Sequence, residues 1–414
     1  MQMNAPERPH VIVIHRWRAD YVDYAAVLDH SSNNVSYITT EVGRARVPAT
    51  AADVAVVTAT DHAAEVRGAI AGLVRAHGRP RRILALKEDD LLLAAQLREE
   101  WGCPGVTSEQ ALRFLDKAVM ASVVAGAGQA VPEFAAVAGP GDVREFAAEH
   151  GWPIIVKPRI GSSSDGVVRL HRPEDVDALD FTERPMLAQV FVPHPIYHVD
   201  GLFLDGRLQA FRASRYVNSC LAFRHGDFLG SVEEDDPVTV AAIEAAANGF
   251  LGAFGVDPLV FHLEMFVEPD PDGGAPKCTF LEVGARVGGS EIPILWREVH
   301  GYDLMAAAVR LQLGETPERP TVPGGDIAGW LLVPAPAQRP CRIAEITPMS
   351  GRVPGLYAES LLEPGEVLPL ADAYYEHVGG RFRFRGATTQ AIEKAIQNVA
   401  ADFRVTAEPL RGEQ

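Results

Sequence analysis

Two runs, FHLEMFVE (261–268) and CTFLEVGAR (278–286), flank PDPDGGAPK, a stretch dense in turn formers. Apolar alternation on both sides of such a cluster reads as an antiparallel hairpin. With the turn centred on Gly273, Glu264 and Glu282 are equidistant from it and face each other across the strands. Opposed residues have Cβ atoms about 4.5–5.5 Å apart, and like charges so placed are destabilising. Alternation puts His262, Glu264, Phe266, Phe280, Glu282 and Gly284 on one face and Leu263, Met265, Leu281 and Val283 on the other. The second set is a core face. The first is expected to line a cleft in which a hard divalent cation with oxygen ligands, Mg2+ or alternatively Mn2+, offsets the repulsion. Two solvated glutamates on an open sheet face are the competing reading.

A second segment, IIVKPRIGSSSDGVV (154–168), places Lys157 before a tip of Gly161, Ser162, Ser163, Ser164, Asp165 and Gly166, then returns to apolar residues. A P-loop has its lysine after the glycines and opens a helix, so this is a different device. Strand, tip and strand make a hairpin whose N–H groups and hydroxyls can fold over phosphates, with Lys157 supplying charge from below. An ordinary exposed turn would use the same residues. After the first hairpin, Arg286 keeps the parity of the glutamates and Val287-Gly288-Gly289-Ser290 permits a close backbone approach. An arginine there can hold a carboxylate or stabilise a transferring phosphoryl group, or can be a surface ion pair.

The 414 residues suggest two or three domains. A formal net charge of -17 disfavours nucleic-acid and membrane-surface partners. Cys103, Cys220, Cys278 and Cys341 form no C-x-x-C pair, which fits reduced thiols. MQMNAPERPH has no basic region leading into an apolar core, and a cytoplasmic location is expected. Short β-branched runs (11–15, 35–40, 54–59, 82–88) alternate with helical patterns, giving a parallel α/β domain over 1–108 with no G-x-G-x-x-G after its first strand. A capped helix is expected over 108–128 with Lys117 inside it. A middle domain runs over 109–314, its last helix closing on Gly314. Linker-like 315–325 follows, and the 315–414 region holds short strands, a Gly379-Gly380 turn and a helix.

Taken together, LDKAVM (115–120), the lysine-serine segment, LAQVFV (187–192) followed by YHVDGLFLDGRL (197–208), FHLEMF and FLEVGARVGGSEIP (280–293) resemble the ATP-grasp superfamily in order and spacing along essentially the whole chain. The E-V-G-A-R-V-G-G pattern looks like the L-amino acid (dipeptide) ligase branch. The resemblance implies an ATP-grasp fold of mixed α/β and α+β class. An N-terminal parallel α/β domain would precede a lobe carrying the phosphate lid (about 130–190), a metal-binding lobe (about 191–314) and a C-terminal α+β region completing the grasp. By position, it implies that Lys117 and Lys157 contact ATP phosphates and that Gly161 to Gly166 form the lid. Gln189, Val190 and Val192 would meet the adenine through backbone, and Glu264 and Glu282 would bind Mg2+. Arg286 would act on an acyl phosphate, Gly288 would lend an N–H, and His262 would be a basic group near the transferred phosphate. Gly284 stands where many members have asparagine, which leaves one metal or two open. The usual ribose-binding acid is missing from PHPIYH, with His194 or His198 as substitutes.

The expected activity is an ATP-dependent carboxylate-amine ligation through an acyl phosphate, between amino acids or small carboxylic acids. Arg212, Arg215 and Arg224 of FRASRYVNSCLAFRHG, with Ser290, are candidates for substrate recognition, and an exposed strand face is the competing reading of that stretch. A purine-biosynthesis or biotin-carboxylase-like enzyme and a non-catalytic ATP-binding regulator are the alternatives. The expected partners are small-molecule carboxylates and amines, and a homodimer stays open.

Overall fold

The computed structural model describes residues 8–182, 184–319, 325–370 and 378–410; the expected linker at 315–325 lies partly outside them. The N-terminal strands form a four-stranded parallel sheet in the order Asp53–Val56, Asn34–Thr39, His10–His15, Pro80–Ala85. Both of its faces are covered, as parallel sheets require. Ile12 and Ile14 meet Val66, Ile70 and Leu97 of the flanking helices on one side. Val11 and Val13 share a core with Leu202, Val260 and Trp330 on the other. That second contact seats the domain on an eight-stranded sheet. Its adjacent strands His10–His15 and Pro80–Ala85 therefore end over the sheet, and loops at such carboxyl ends are where open α/β sheets place ligands.

The eight-stranded sheet runs Lys277–Gly284, Leu259–Glu268, Ile196–Leu204, Arg207–Tyr216, Leu229–Glu233, Ile327–Pro334, Val378–Gly386, Leu356–Leu361. Residues beyond 315 thus supply three strands to the same sheet as the two glutamates. A smaller sheet of Phe134–Val137, Met186–Val190, Ile154–Pro158 and Val168–Leu170 forms a separate lobe around Val143, Phe146, Val156 and Ala188. Within it, Ile154–Pro158 pairs antiparallel with Val168–Leu170, so residues 159–167 are the tip of a hairpin. No helix among the described residues is long and apolar enough to cross a membrane, and all four cysteines are free.

Three local expectations are corrected. The helix expected over 108–128 is two, Ser108–Arg113 and Lys117–Gly126. Asp116 divides them because its carboxylate caps the second, accepting from the N–H groups of Ala118 at 3.0 Å and Val119 at 3.3 Å. Lys117 is therefore the first residue of a helix. The Gly379-Gly380 turn is instead inside strand Val378–Gly386. These glycines serve close approach, since a Cβ on Gly380 would lie 2.7 Å from the Phe382 ring and one on Gly379 2.8 Å from the Pro334 carbonyl. Finally, Phe280 is not on the glutamate face. Glu264 does pair with Glu282, but a bulge follows and Met265 pairs with Phe280, leaving Leu281 extra. The bulge turns Phe280 into the core, 1% exposed, with its ring 5.4 Å from that of Phe250 and 6.3 Å from that of Phe254.

Phe280→Ala should therefore cost about 3–5 kcal/mol of stability in denaturant unfolding, and Leu281→Ala clearly less. The reverse order would refute the bulged register.

Candidate active site

The hairpin register lays out the site as two rungs across neighbouring strands. One reads Glu282, Glu264, His198, Ser214, Glu233, and the next Gly284, His262, Asp200, Arg212. Strand alternation puts these side chains on one face, where a run of polar groups is buried together.

On the second rung, Asp200 is 1% exposed and holds two imidazoles. His262 donates Nδ1–H to its Oδ1 at 2.9 Å, and His198 donates Nδ1–H to its Oδ2 at 2.6 Å. The far nitrogen of His198 meets Ser231 Oγ at 2.7 Å, and that of His262 lies 3.4 Å from Glu264 Oε1. Burial opposes ionisation of Asp200, but the two imidazoles hold its pKa well below the usual carboxylate range. Burial likewise opposes a charge on His262, yet Asp200 and Glu264 outweigh it and raise its pKa to about 9. Ligand atoms of His198, Asp200 and His262 lie close enough for a metal ion. Their protons are already committed to one another, so the trio acts as a hydrogen-bonded relay that keeps His262 cationic. Gly288 passes directly over it: a Cβ there would sit 2.3 Å from Asp200 Oδ1 and 2.9 Å from His262 Nδ1.

The facing glutamates are ringed by cations and donors. Tyr216, kept neutral by burial, donates its hydroxyl to Glu264 Oε1 at 2.7 Å. Burial pushes the Glu264 pKa up, but His262 and Tyr216 prevail and lower it. Lys117 Nζ is 3.5 Å from Glu282 Oε2 and donates to the Gly161 carbonyl at 2.6 Å. Lys157 is buried at 5% exposure, which lowers its pKa to about 8 against the pull of Glu282. These contacts address Oε1 of Glu264 and Oε2 of Glu282, so among the described residues one oxygen of each carboxylate is left for a cation. Two hard oxygen donors beside a cavity fit Mg2+, which completes its shell with water and phosphate.

Arg286 is engaged by Glu88, donating Nε–H to Glu88 Oε2 at 2.8 Å and a second bond from Nη2. Burial raises the Glu88 pKa, and Arg286 more than reverses it. Glu88 opens the helix Glu88–Trp101 directly after strand Pro80–Ala85, so the N-terminal domain closes the site from above. The cleft there, with a volume of ≈ 520 Å³, is lined by Glu264, Glu282, His262, Arg286 and the Gly288-Gly289-Ser290 turn, and by Ser162, Ser163 and Ser164 of the hairpin tip. Its remaining wall combines apolar and aromatic side chains, among them Trp17, Tyr21, Leu229, Ile292, Met305 and Trp330, with the basic Arg18, Arg46, Lys87 and Arg381.

The expected residues divide as follows. Ser162 to Ser164, His262, Glu264, Glu282, Arg286, Gly288 and Ser290 share the cavity. Lys117, Lys157 and Gln189 line a small adjoining pocket between the lobes, with Phe134 and Leu281. Gly161 and Gly166 frame the serines, and Gly166 (φ 68°) approaches Pro158 so closely that a Cβ would lie 2.9 Å from its ring. Val190 donates its N–H to the Glu133 carbonyl at 2.9 Å and packs in the lid-lobe core, and Val192 lies two residues beyond that strand's end. Arg212 is drawn to His300 Nδ1 at 3.3 Å rather than to the cavity. Arg215 alternates to the opposite face and pairs with Glu393 at 2.8 Å. His198 is spent within the relay, and His194 lies 3.5 Å from Glu268. Sequence reasoning missed Glu88, Asp200, Tyr216 and Ser231. A signal for Asp200 existed: in YHVDG it stands two residues from His198, hence on the same strand face.

Sheet order, serine hairpin and facing glutamates define a protein of the ATP-grasp fold. No family model matches the chain. In sequence it is 24% identical over 302 residues to an L-arginine-specific L-amino acid ligase of Bacillus subtilis, covering 69% of this chain and 70% of that protein. Among solved structures, the L-amino acid ligase from Bacillus licheniformis superposes with a TM-score of 0.75 at 16% identity, covering 97% of this chain and 99% of the other. The biotin carboxylase domain of 2-oxoglutarate carboxylase from Hydrogenobacter thermophilus, a complex with MgADP and bicarbonate, gives a TM-score of 0.66 at 14% identity over 97% and 92% of the two chains.

The relay makes a test of its own. The folded state keeps on His262 a proton whose ordinary pKa is 6.5. A raised folded pKa contributes stability that is complete below about pH 6.5 and is lost as pH rises through about 9. Stability measured in urea should fall over that window, and His262→Gln should flatten the fall. An unchanged slope would show that His262 is neutral in the fold.

Proposed function

We propose that the protein is an ATP-dependent, ADP-forming carboxylate-amine ligase acting on amino acids or small carboxylic acids. One observation carries the reading: Glu264 faces Glu282 in register beside Lys117, beneath a serine hairpin, at the end of a cavity that also holds Arg286. The similarity to two L-amino acid ligases supports it.

The chemistry needs two anions to meet. A substrate carboxylate oxygen attacks the γ-phosphorus of ATP and ADP leaves, forming an acyl phosphate. An amine nitrogen then attacks the acyl carbon, phosphate leaves, and the nitrogen loses a proton to give the amide. No side-chain nucleophile is required. In this reading Lys117 and Lys157 take phosphate charge, and Arg286, held by Glu88, orients the acid carboxylate and stabilises its oxyanion. His262 adds a fixed positive charge beside Glu264, and the lid and the N-terminal domain exclude water from the acyl phosphate. Glu264 and Glu282 would hold Mg2+, which supplies neutralisation of the phosphate oxygens.

The apolar part of the wall favours this reading over one that activates bicarbonate. Bicarbonate needs no lining of two tryptophans, a leucine, an isoleucine and a methionine, whereas the side chain of an organic acid does. A regulator without turnover would hold ATP with the same charges around Glu264 and Glu282, so turnover itself tells the two apart.

Phosphate release from ATP and Mg2+, screened over amino acids singly and in pairs with mass spectrometry of products, tests the reading. Release that requires two amino acids and yields their dipeptide is the expected result. Bicarbonate dependence would move the protein to carboxylase-like chemistry, and tight ATP binding without turnover to regulation. Glu282→Gln should lower turnover more than the roughly 10–100-fold that outer-shell partners of a metal cost. Retained activity would remove Glu282 from the metal site.

A further inference from the structure

The serine tip is gripped from the opposite lobe. Asp165, next after Ser164, divides its carboxylate between two arginines: Arg184 Nη1 donates to Oδ2 and Arg224 Nη2 to Oδ1, each at 2.6 Å. Arg184 belongs to the lid's own lobe, just before strand Met186–Val190. Arg224 ends the short helix Cys220–Arg224, which follows strand Arg207–Tyr216 of the eight-stranded sheet. The same guanidinium donates Nη1 to the Ser163 carbonyl at 3.1 Å, so it holds both main chain and side chain of the tip.

The root of the hairpin is tied separately. Arg159 donates to both oxygens of Asp116, at 3.0 and 2.6 Å, its carbonyl accepts the Lys117 N–H at 2.8 Å, and Lys117 Nζ holds the Gly161 carbonyl. With the root fixed to the helix bearing Lys117, Arg224 is what decides where the tip lies. Ser163 (φ 62°) and Ser164 (φ 55°) are both left-handed, which non-glycine residues keep only where the surroundings over-determine them. A partly exposed ion pair, with side chains 28% and 43% exposed, adds little to overall stability. That weakness suits a contact that must open for each turnover, because lid opening can limit an enzyme's rate.

We propose that Arg224 is the positioning residue of the lid: through Asp165 and the Ser163 carbonyl it draws Ser162–Ser164 across the cavity and closes them over the phosphates of a bound nucleoside triphosphate. This rests on the reading of the site as an ATP site. Arg184, which also holds Asp165, ties the lid only to its own lobe.

The test compares Arg224→Ala, Arg224→Lys, Asp165→Asn and Arg184→Ala. Two readouts are used: steady-state kinetics, and cleavage by proteinase K within residues 159–169 with and without a non-hydrolysable ATP analogue and Mg2+. In Arg224→Ala and Asp165→Asn the KM for ATP should rise about tenfold, the scale of one lost charge-assisted contact, with a smaller change in kcat. ADP should form in excess of amide as water reaches the acyl phosphate. Arg224→Lys should restore part of the KM, since an ammonium can hold Asp165 but not in the forked geometry that also reaches Ser163. The analogue should protect the wild-type loop and leave that of Arg224→Ala open. The idea is overturned if Arg224→Ala leaves KM, coupling and protection unchanged, or if Arg184→Ala matches it in all three. Should the wild-type protein ligate nothing, the proposed function fails while loop protection still decides the role of Arg224; absence of protection in the wild type overturns it.

Discussion

Two carboxylates are forced to face one another across a pair of strands, and the rest of the site is arranged around that cost. Two like charges about 5 Å apart repel by about 3 kcal/mol at an effective dielectric of about 20. Neutralising them by protonation would remove the repulsion along with their use. Instead Glu264 is held ionised, against its burial, by the His262 cation and the Tyr216 hydroxyl. Glu282 has Lys117 beside it. Each of these neighbours needs its own support: Asp200 for His262, Gly161 for Lys117, Glu88 for Arg286. The polar side chains of two rungs and the N-terminal domain are thus consequences of one strand pairing.

Much of this was legible in the sequence because strand alternation is a rigid rule. The opposition of Glu264 and Glu282 followed from counting to the turn, and the structure has that register. The hairpin around Gly161 to Gly166 followed from the same logic, and the motif order along the chain pointed to the fold that the solved structures share. What could not be read was set by contacts between distant segments. Glu88 lies 198 residues from Arg286 and looked like one acid among several at a helix start. Phe280 was misplaced because a bulge leaves no mark in a pattern of period two until the partner strand is known. Arg212 and Arg215 looked equivalent on a basic stretch, yet alternation sends them to opposite faces and different partners.

The site is assembled from a continuous sheet and from a hairpin tip carried on a separate small sheet. Glu264, His262 and the relay sit on strands of a continuous eight-stranded sheet that are paired on both sides, and Glu282 stands beside them on its edge strand. Such placement gives the precision that charge stabilisation demands, since electrostatic groups act only when fixed before the reaction. The serine hairpin is the opposite case. It belongs to a separate small sheet, and Ser163 and Ser164 at its tip lie in left-handed backbone regions.

That contrast constrains how the site can discriminate. Under the proposed function, groups on the sheet would meet every ligand in the same arrangement and would select by the charge and shape of the acid and the phosphate. The tip's one acid, Asp165, is already paired with Arg184 and Arg224, so the tip brings hydrogen-bonding groups over the glutamates rather than net charge. Selection by charge therefore rests with the groups fixed on the sheet, while the tip contributes hydroxyls, N–H groups and the exclusion of water.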